Sequence, residues 1–152
     1  MIRLVAEPTL GRLVTWLRLL GFDTTLVHRP PPAAPPGTVL LTRRRALAGR
    51  PGVLLITPDR WPDQLRQVLT ELNLAPDPAR RLSRCLICNH PVEPLARAAA
   101  VGLVPDHILH TAERLTRCPA CGKVYWPGSH GQRAAALLAR ILGQNRPEND
   151  DA

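Results

Sequence analysis

The sequence predicts an α/β protein in which a mostly parallel sheet, flanked by helices, is followed by a small metal-binding module. Short apolar runs alternate with amphipathic helical patterns in the first half of the chain, which is typical of parallel sheets. All four cysteines then occur in two Cys-x-x-Cys pairs. A proline-bearing polar link near Arg81 separates the two parts. We therefore predict domains over residues 1–81 and 82–142, with a disordered tail over residues 143–152.

The opening of the chain has the pattern of a βαβ unit. The stretch "IRLVAE" indicates a first strand, and "TLGRLVTWLRLLG" indicates an amphipathic helix that ends at a glycine. A second strand is predicted over "DTTLVH". The next nine residues, "RPPPAAPPG", contain five prolines, which excludes a helix or a central strand. This segment is therefore expected to be a stiff, polyproline-like connector.

Two further strands and a second long helix follow the connector. "TVLLT" and "GVLLIT" indicate strands, "RRRALAG" one or two helical turns between them, and "WPDQLRQVLTELNL" the helix. Because strands and helices alternate, the sheet should be mostly parallel and covered on both faces. Residues that follow a strand then lie at the carboxyl edge of the sheet, where open α/β sheets bind their ligands.

The charge of the chain favours a polyanionic partner. Lys and Arg outnumber Asp and Glu by 20 to 12, giving a net charge of +8, and Lys123 is the only lysine. The excess is concentrated in residues 1–82, with twelve arginines against six acidic residues. Arginine suits phosphate groups, so nucleic acid is the leading partner class. A GC-rich genome would give the same arginine bias, and composition alone does not separate the two explanations.

The sequence lacks the patterns of an N-terminal signal peptide and of a membrane span. The N-terminus lacks the apolar core and cleavage site of a signal peptide, and no apolar run approaches the ~18 residues of a membrane span. We therefore expect a cytoplasmic protein with no membrane partner.

Three consecutive arginines follow the third predicted strand. Arg43, Arg44 and Arg45 should lie at the carboxyl edge of the sheet, where their guanidinium groups could hold phosphate. A solvated run of charge at the start of a short helix explains the triplet equally well.

The cysteine spacing predicts a structural zinc site. Cys85 and Cys88 form one pair, Cys118 and Cys121 the other, and two such pairs provide the four sulfur ligands of a tetrahedral zinc ion. Disulfides are disfavoured by a cytosolic location, and a redox pair would not need a second pair at the same spacing. Because four protein sulfurs fill the coordination shell, the ion should be structural and not catalytic.

Several of these stretches together resemble the Mut-seven C-terminal RNase family. They are "TLGRLVTWLRLLGFDT", "LLTRRRALA", "DQLRQVL", the pairs "CLIC" and "CPAC", and "CGKVYWPGSH". The resemblance covers residues 2 to 142 and implies a PIN-like α/β domain with a C-terminal zinc ribbon. It also implies RNA cleavage with Mg²⁺ or Mn²⁺, which hard carboxylate ligands would hold at the strand ends.

The acidic residues that the resemblance leads us to expect are mostly absent. Glu7 falls at the position of the family's aspartate after the first strand, and Asp59 follows the fourth strand, although it could equally cap the next helix. Arg44 and Ala46 stand where the family pattern after the third strand has two acids. An arginine in such a place repels a divalent cation and supplies no ligand.

Three functions are consistent with the sequence. The first is a non-catalytic or weakly catalytic RNA-binding protein that uses Arg43, Arg44 and Arg45. The second is an active metal-dependent ribonuclease whose site is built from Glu7, Asp59 and Asp63. The third is an adaptor whose zinc ribbon contacts a protein partner. Convergence of the three carboxylates around a cation would favour the ribonuclease, whereas their separation would favour the binding protein.

Overall fold

A computed structural model describes residues 2–29 and 31–143 of the chain. Apart from Gly143, the predicted disordered tail over residues 143–152 lies outside the described residues. No helix in the described part is long and apolar enough to cross a membrane.

The four strands predicted in the first half of the chain form one parallel sheet. Neighbouring strands are hydrogen-bonded in the order β2-β1-β3-β4, and all three pairings are parallel. Because all strands run the same way, the residues that follow β1, β3 and β4 share one edge of the sheet. The strands are β1 Arg3–Ala6, β2 Asp23–Leu26, β3 Thr38–Thr42 and β4 Val53–Leu55.

Helices cover one face of this sheet and form the main core with it. Leu4, Ala6 and Leu41 alternate with residues of the opposite face and pack against apolar side chains of the first, second and last helices. Both long helices predicted in the first half are present. The helices of the described chain are α1 Gly11–Leu19, α2 Trp61–Glu71, α3 Arg97–Ala100, α4 Asp106–Thr111 and α5 Ser129–Gly143.

The opposite face of the sheet is also covered, by a single 3₁₀ turn and by part of the proline-rich connector. Val5 and Leu40 point to this face and pack with Leu47, which lies in a single 3₁₀ turn at Arg45–Leu47. Ala34, from the proline-rich connector, packs on the same cluster. The connector cannot form a helix because most of its residues are proline, and its described residues lie in bends and turns without regular secondary structure.

The cysteine pairs lie in a small module with an antiparallel sheet. Its strands are ordered β5-β6-β7, with ranges Glu93–Pro94, Thr116–Arg117 and Val124–Tyr125. The short helices α3 and α4 lie between the two pairs. They close a satellite cluster of Ala100, Val104, Ala112 and Leu115.

The last helix packs on the first part of the chain. Leu138 and Ile141 of α5 are buried in the main core, and Arg66 of α2 donates from Nε to the Ile141 carbonyl at 3.0 Å. The chain thus returns to the parallel sheet after the cysteine module. The division into residues 1–81 and 82–142 stays a prediction, and α5 contributes its apolar face to the core of the first range.

Candidate functional site

The four cysteines converge on one point. The sulfur atoms of Cys85, Cys88, Cys118 and Cys121 all lie within 4.8 Å of one another. The Cys85 and Cys121 sulfurs are 3.7 Å apart, close to the ~3.75 Å between two sulfurs that each lie ~2.3 Å from a tetrahedral ion. The four cysteines can therefore hold a metal ion such as zinc.

Each cysteine pair lies in the same tight turn. The backbone N–H of Cys88 donates to the Cys85 sulfur at 3.4 Å, and that of Cys121 donates to the Cys118 sulfur at 3.5 Å. Asn89 and Gly122 follow the pairs with φ angles of 65° and 82°. These are left-handed conformations that Gly and Asn adopt most readily, and they allow the chain to reverse after each pair.

The electrostatics of the cluster favour a bound cation. Burial raises the pKa of Cys85, but hydrogen bonds from Tyr125 and from the backbone N–H groups of Cys88 and Ile87 outweigh it and lower the pKa to about 6. Hydrogen bonding with Cys121, together with burial, raises the pKa of Cys88 to about 12. The Cys85 thiol thus ionises more readily than the Cys88 thiol, and a bound divalent cation would stabilise both thiolates.

Side chains of the α/β part hold the first cysteine turn in place. Arg18 of α1 is buried and donates from Nη1 to the carbonyls of Leu86 and Ile87, at 2.9 and 3.1 Å. Its Nε donates to the Thr24 carbonyl at 2.9 Å, and Asn89 accepts from the Thr24 N–H at 3.0 Å. Thr24 lies in β2, which is the outermost strand of the sheet. These contacts therefore also satisfy the backbone N–H and carbonyl of Thr24, which have no neighbouring strand to bond.

The second candidate site lies at the carboxyl edge of the parallel sheet and is centred on Glu7. This residue directly follows β1 and is only 4% exposed. Its Oε1 accepts from the backbone N–H of Arg43 at 2.6 Å and from the Thr9 hydroxyl at 3.2 Å. Its Oε2 accepts from the Thr42 hydroxyl at 3.2 Å, and Arg44 Nε lies 3.9 Å away. Protein donors and a cation thus already surround both oxygens.

The arginine triplet lies at this edge, as predicted, but its three side chains differ. Arg43 donates from Nη1 to the Pro58 carbonyl and from Nη2 to Asp59 Oδ1, the latter at 2.8 Å. The Arg44 side chain is 60% exposed and near Glu7, and Arg45 is also exposed. Arg44 and Arg45 therefore present their guanidinium groups to solvent, whereas Arg43 holds the segment after β4 against the segment after β3.

The structure does not bring the candidate carboxylates together as a metal site. Asp59 pairs with Arg43, and Asp63 pairs with Arg66 one helical turn along α2, at 3.1 Å. Over residues 2–29 and 31–143, the four cysteines are the only group of three or more ligating side chains whose ligand atoms lie within 4.8 Å of one another. Glu7, Asp59 and Asp63 do not form such a group.

A cleft opens beside this edge, between the beginnings of α1 and α2. It has a volume of about 330 Å³. Asp59 lines the cleft and also pairs with Arg43 of the arginine triplet, so the cleft adjoins the triplet. Sequence reasoning missed most of its lining, because Arg12 resembles any solvent-facing helical residue and Arg60 any residue that precedes a helix. Only the topology brings the two arginines together. The cleft is lined by Thr9, Arg12, Asp59, Arg60, Trp61, Pro62 and Gln64.

Comparison with known proteins gives one match. The family model described as "Mut7-C RNAse domain" matches residues 2–138, nearly the whole chain. No curated protein and no solved structure matches the chain.

Proposed function

Because the chain belongs to the Mut7-C RNAse domain family, we propose that it is an RNA-binding protein whose metal-dependent nuclease activity is weak or lost. The observation that carries this proposal is the environment of Glu7. Glu7 follows β1, at the position where the family has an aspartate, and its side chain is buried. Its carboxylate accepts three hydrogen bonds from protein donors and has Arg44 beside it.

The surroundings of Glu7 and Asp59 oppose a catalytic Mg²⁺ or Mn²⁺ ion. Such ions need several oxygen ligands, and two-ion catalysis needs enough carboxylates to bridge both ions. Here Arg43 binds Asp59 and Arg44 approaches Glu7. Each arginine costs a bound cation at least about 1 kcal/mol of repulsion, even in a water-like dielectric. The active-ribonuclease alternative, with Glu7 and Asp59 as ligands, would require both arginines to move away.

The same arrangement supports RNA binding. Arg44 and Arg45 are exposed at the carboxyl edge of the sheet, and Arg12 and Arg60 line the adjoining cleft. These four arginines provide a basic surface with only Asp59 as an exposed acid among the named edge and cleft residues. Guanidinium groups at this density favour a phosphate backbone over a single small anion.

Replacing Arg44 and Arg45 with glutamine should weaken RNA binding and its dependence on salt. Single strands release about 0.7 counterion per neutralised phosphate, so loss of two contacts should reduce the slope of log K against log salt by about 1.4. This slope can be measured by fluorescence anisotropy with a single-stranded RNA at salt concentrations between about 50 and 200 mM.

The matched control for this experiment is Arg133→Gln with Arg140→Gln. Both residues lie on α5 and are exposed, so the control removes the same charge away from the strand edge. Equal effects of the two double variants would mean that only net charge matters. Wild-type affinity in the Arg44 and Arg45 variant would make the triplet a solvated surface.

Incubation with RNA in Mg²⁺ or Mn²⁺ should give little or no cleavage. Glu7→Gln keeps the shape and one acceptor of the side chain but removes the charge that a metal would need. Any cleavage that is the same in the wild type and in this variant comes from contamination. Robust cleavage that disappears in Glu7→Gln would contradict the proposal and establish Glu7 as a metal ligand. A gain of cleavage in Arg44→Asp would indicate that this arginine replaces a catalytic carboxylate.

We also propose that the four-cysteine site holds a structural zinc ion in a zinc-ribbon module. The support is the sulfur geometry, the paired turns and the donor set, since four cysteine sulfurs complete the tetrahedral shell of a structural zinc ion. Cysteines that serve as zinc ligands and not as disulfides suit a reducing compartment, so we also propose a cytoplasmic location.

A protein-interaction role for the cysteine module is a second candidate. Of the large apolar side chains that are exposed in the described residues, Ile87, Val101 and Leu103 all lie in this module, at 63%, 65% and 49% exposure. Apolar side chains at this exposure often mark contact surfaces. Loss of a copurifying partner on Val101→Ser with Leu103→Ser, with RNA binding unchanged, would support this role.

A further inference from the structure

We propose that the cleft between α1 and α2 is a ribonucleotide subsite in which Asp59 distinguishes RNA from DNA by accepting a hydrogen bond from a ribose 2′-hydroxyl. This inference rests on the proposed RNA binding and adds to it a subsite and a residue that determines sugar specificity.

The lining of the cleft matches the three chemical parts of a ribonucleotide. Arg12 and Arg60 provide cations for a phosphate, and Trp61 with Pro62 provides an apolar wall for a sugar or base. Asp59 provides a hydrogen-bond acceptor. The volume of about 330 Å³ is at the small end of ligand sites, as expected for one nucleotide unit.

The apolar wall of the cleft is packed against the main core. The rings of Trp61 and Trp16 stack with centroids 4.6 Å apart and planes only 9° apart, and both pack on the main core. Gln64 at the cleft is only 5% exposed, and its Nε2 donates to the Pro58 carbonyl at 2.9 Å. A ligand would therefore meet walls that are already ordered, which lowers the entropy cost of binding.

Asp59 is the only acidic residue among those that line the cleft. Its side chain is 92% exposed, and an exposed carboxylate among arginines repels phosphate. Arg43 fixes one oxygen, Oδ1, at 2.8 Å, so the carboxylate has a defined direction. A carboxylate can only accept hydrogen bonds, and the 2′-hydroxyl is the donor that every ribonucleotide carries and every deoxyribonucleotide lacks. Such a contact gives Asp59 a favourable role at an anionic ligand.

The test compares three oligonucleotides with the same base and backbone charge. Oligo(U), oligo(dU) and 2′-O-methyl oligo(U) of equal length are titrated against the full-length protein at one salt concentration. The wild type should bind oligo(U) about tenfold more tightly than either analogue, the size expected for a hydrogen bond to a charged acceptor. In Asp59→Ala the three affinities should become equal within about twofold. The two analogues should gain most of the affinity, because they cannot donate a hydrogen bond to Asp59 and meet only its repelling charge in the wild type.

Two further variants make the outcome specific. Asp106→Asn removes one exposed negative charge from α4 of the cysteine module and should leave the preference intact. Arg12→Gln with Arg60→Gln should weaken binding of all three oligonucleotides by the same factor. Circular dichroism of Asp59→Ala verifies that the fold is retained.

Several outcomes would overturn the inference. Tight binding of 2′-O-methyl oligo(U) by the wild type would show that sugar conformation, and not the hydroxyl donor, is recognised. An Asp59→Ala variant that strengthens binding to all three by one factor would make Asp59 a repelling charge that only holds Arg43. Salt-dependent RNA binding with no sugar preference would reject this subsite and leave the proposed function standing. Absence of any RNA binding would reject both.

Discussion

Removing the metal from the purified protein should unfold the cysteine module while the parallel sheet stays folded. Cys85 and Cys118 are fully buried at the centre of a cluster whose other members are Tyr125 and three partly buried side chains. Such a small apolar cluster cannot order the surrounding turns by itself. Structural zinc contributes about 10–16 kcal/mol of apparent binding energy in small domains, so its loss should dominate the stability of this module.

Hydrogen exchange with and without a strong chelator measures this effect. Amides of the two cysteine turns and of β6 and β7 should lose protection, whereas amides of β1 and β3 should keep it. Cys118→Ser should give the same pattern without a chelator. Tyr125→Phe is the control, because it removes the hydroxyl bonded to the Cys85 sulfur at 3.2 Å but keeps the ring in the cluster. Its cost should be about 1 kcal/mol.

Metal analysis provides an independent check of the same prediction. One zinc ion per chain is expected in the protein as purified. Less than half an ion per chain, with disulfides found by mass spectrometry between the pairs, would contradict the zinc site and assign the four sulfurs another role.

The architecture of the first half could be predicted because its signals are local. The strand β3 has a continuous apolar centre of three residues, and α1 has its apolar residues on one stripe, so each pattern determines its own element. The proline-rich connector could be excluded as a helix for an equally local reason. The convergence of the four cysteines was predictable because two Cys-x-x-Cys pairs have the spacing that one tetrahedral metal ion requires of its ligands.

The features that could not be predicted depend on contacts between distant parts of the chain. The periodicity of α5 indicates a helix but not the part of the chain on which it packs. Its packing on α2 and the main core could therefore not be predicted. The same holds at the strand edge. That Arg43 would bind Asp59 and donate its backbone N–H to Glu7 follows from the approach of three loops, and no single segment encodes it.

The pairing of the candidate carboxylates with arginines is the structural result with the largest bearing on function. Glu7 follows β1 and Asp59 follows β4, and each has an arginine as its charged partner. The arginines thus take the place at the carboxylates that a divalent cation would need. This arrangement explains how a nuclease-family scaffold can keep its acidic residues as supports for a basic surface.

Replacing Arg18 with alanine should destabilise the protein by on the order of 3 kcal/mol, because hydrogen bonds from a charged donor contribute about 1.5–3 kcal/mol and the buried acceptors would lose that donor. Arg18 is only 7% exposed and donates to three carbonyls, those of Thr24, Leu86 and Ile87. The variant would leave those carbonyls without this donor and would free both the edge strand β2 and the first cysteine turn. Urea denaturation measures the change, and hydrogen exchange should show lost protection in both places.

Arg12→Ala is the control, because Arg12 lies on the same helix but is exposed. This substitution should lower the free energy of unfolding by less than about 0.5 kcal/mol. Arg18→Lys should recover only part of the loss, since one ammonium cannot reach carbonyls on both elements as the guanidinium fork does. Equal stability of the Arg18 and Arg12 variants would show that the cysteine module docks on the sheet without this residue.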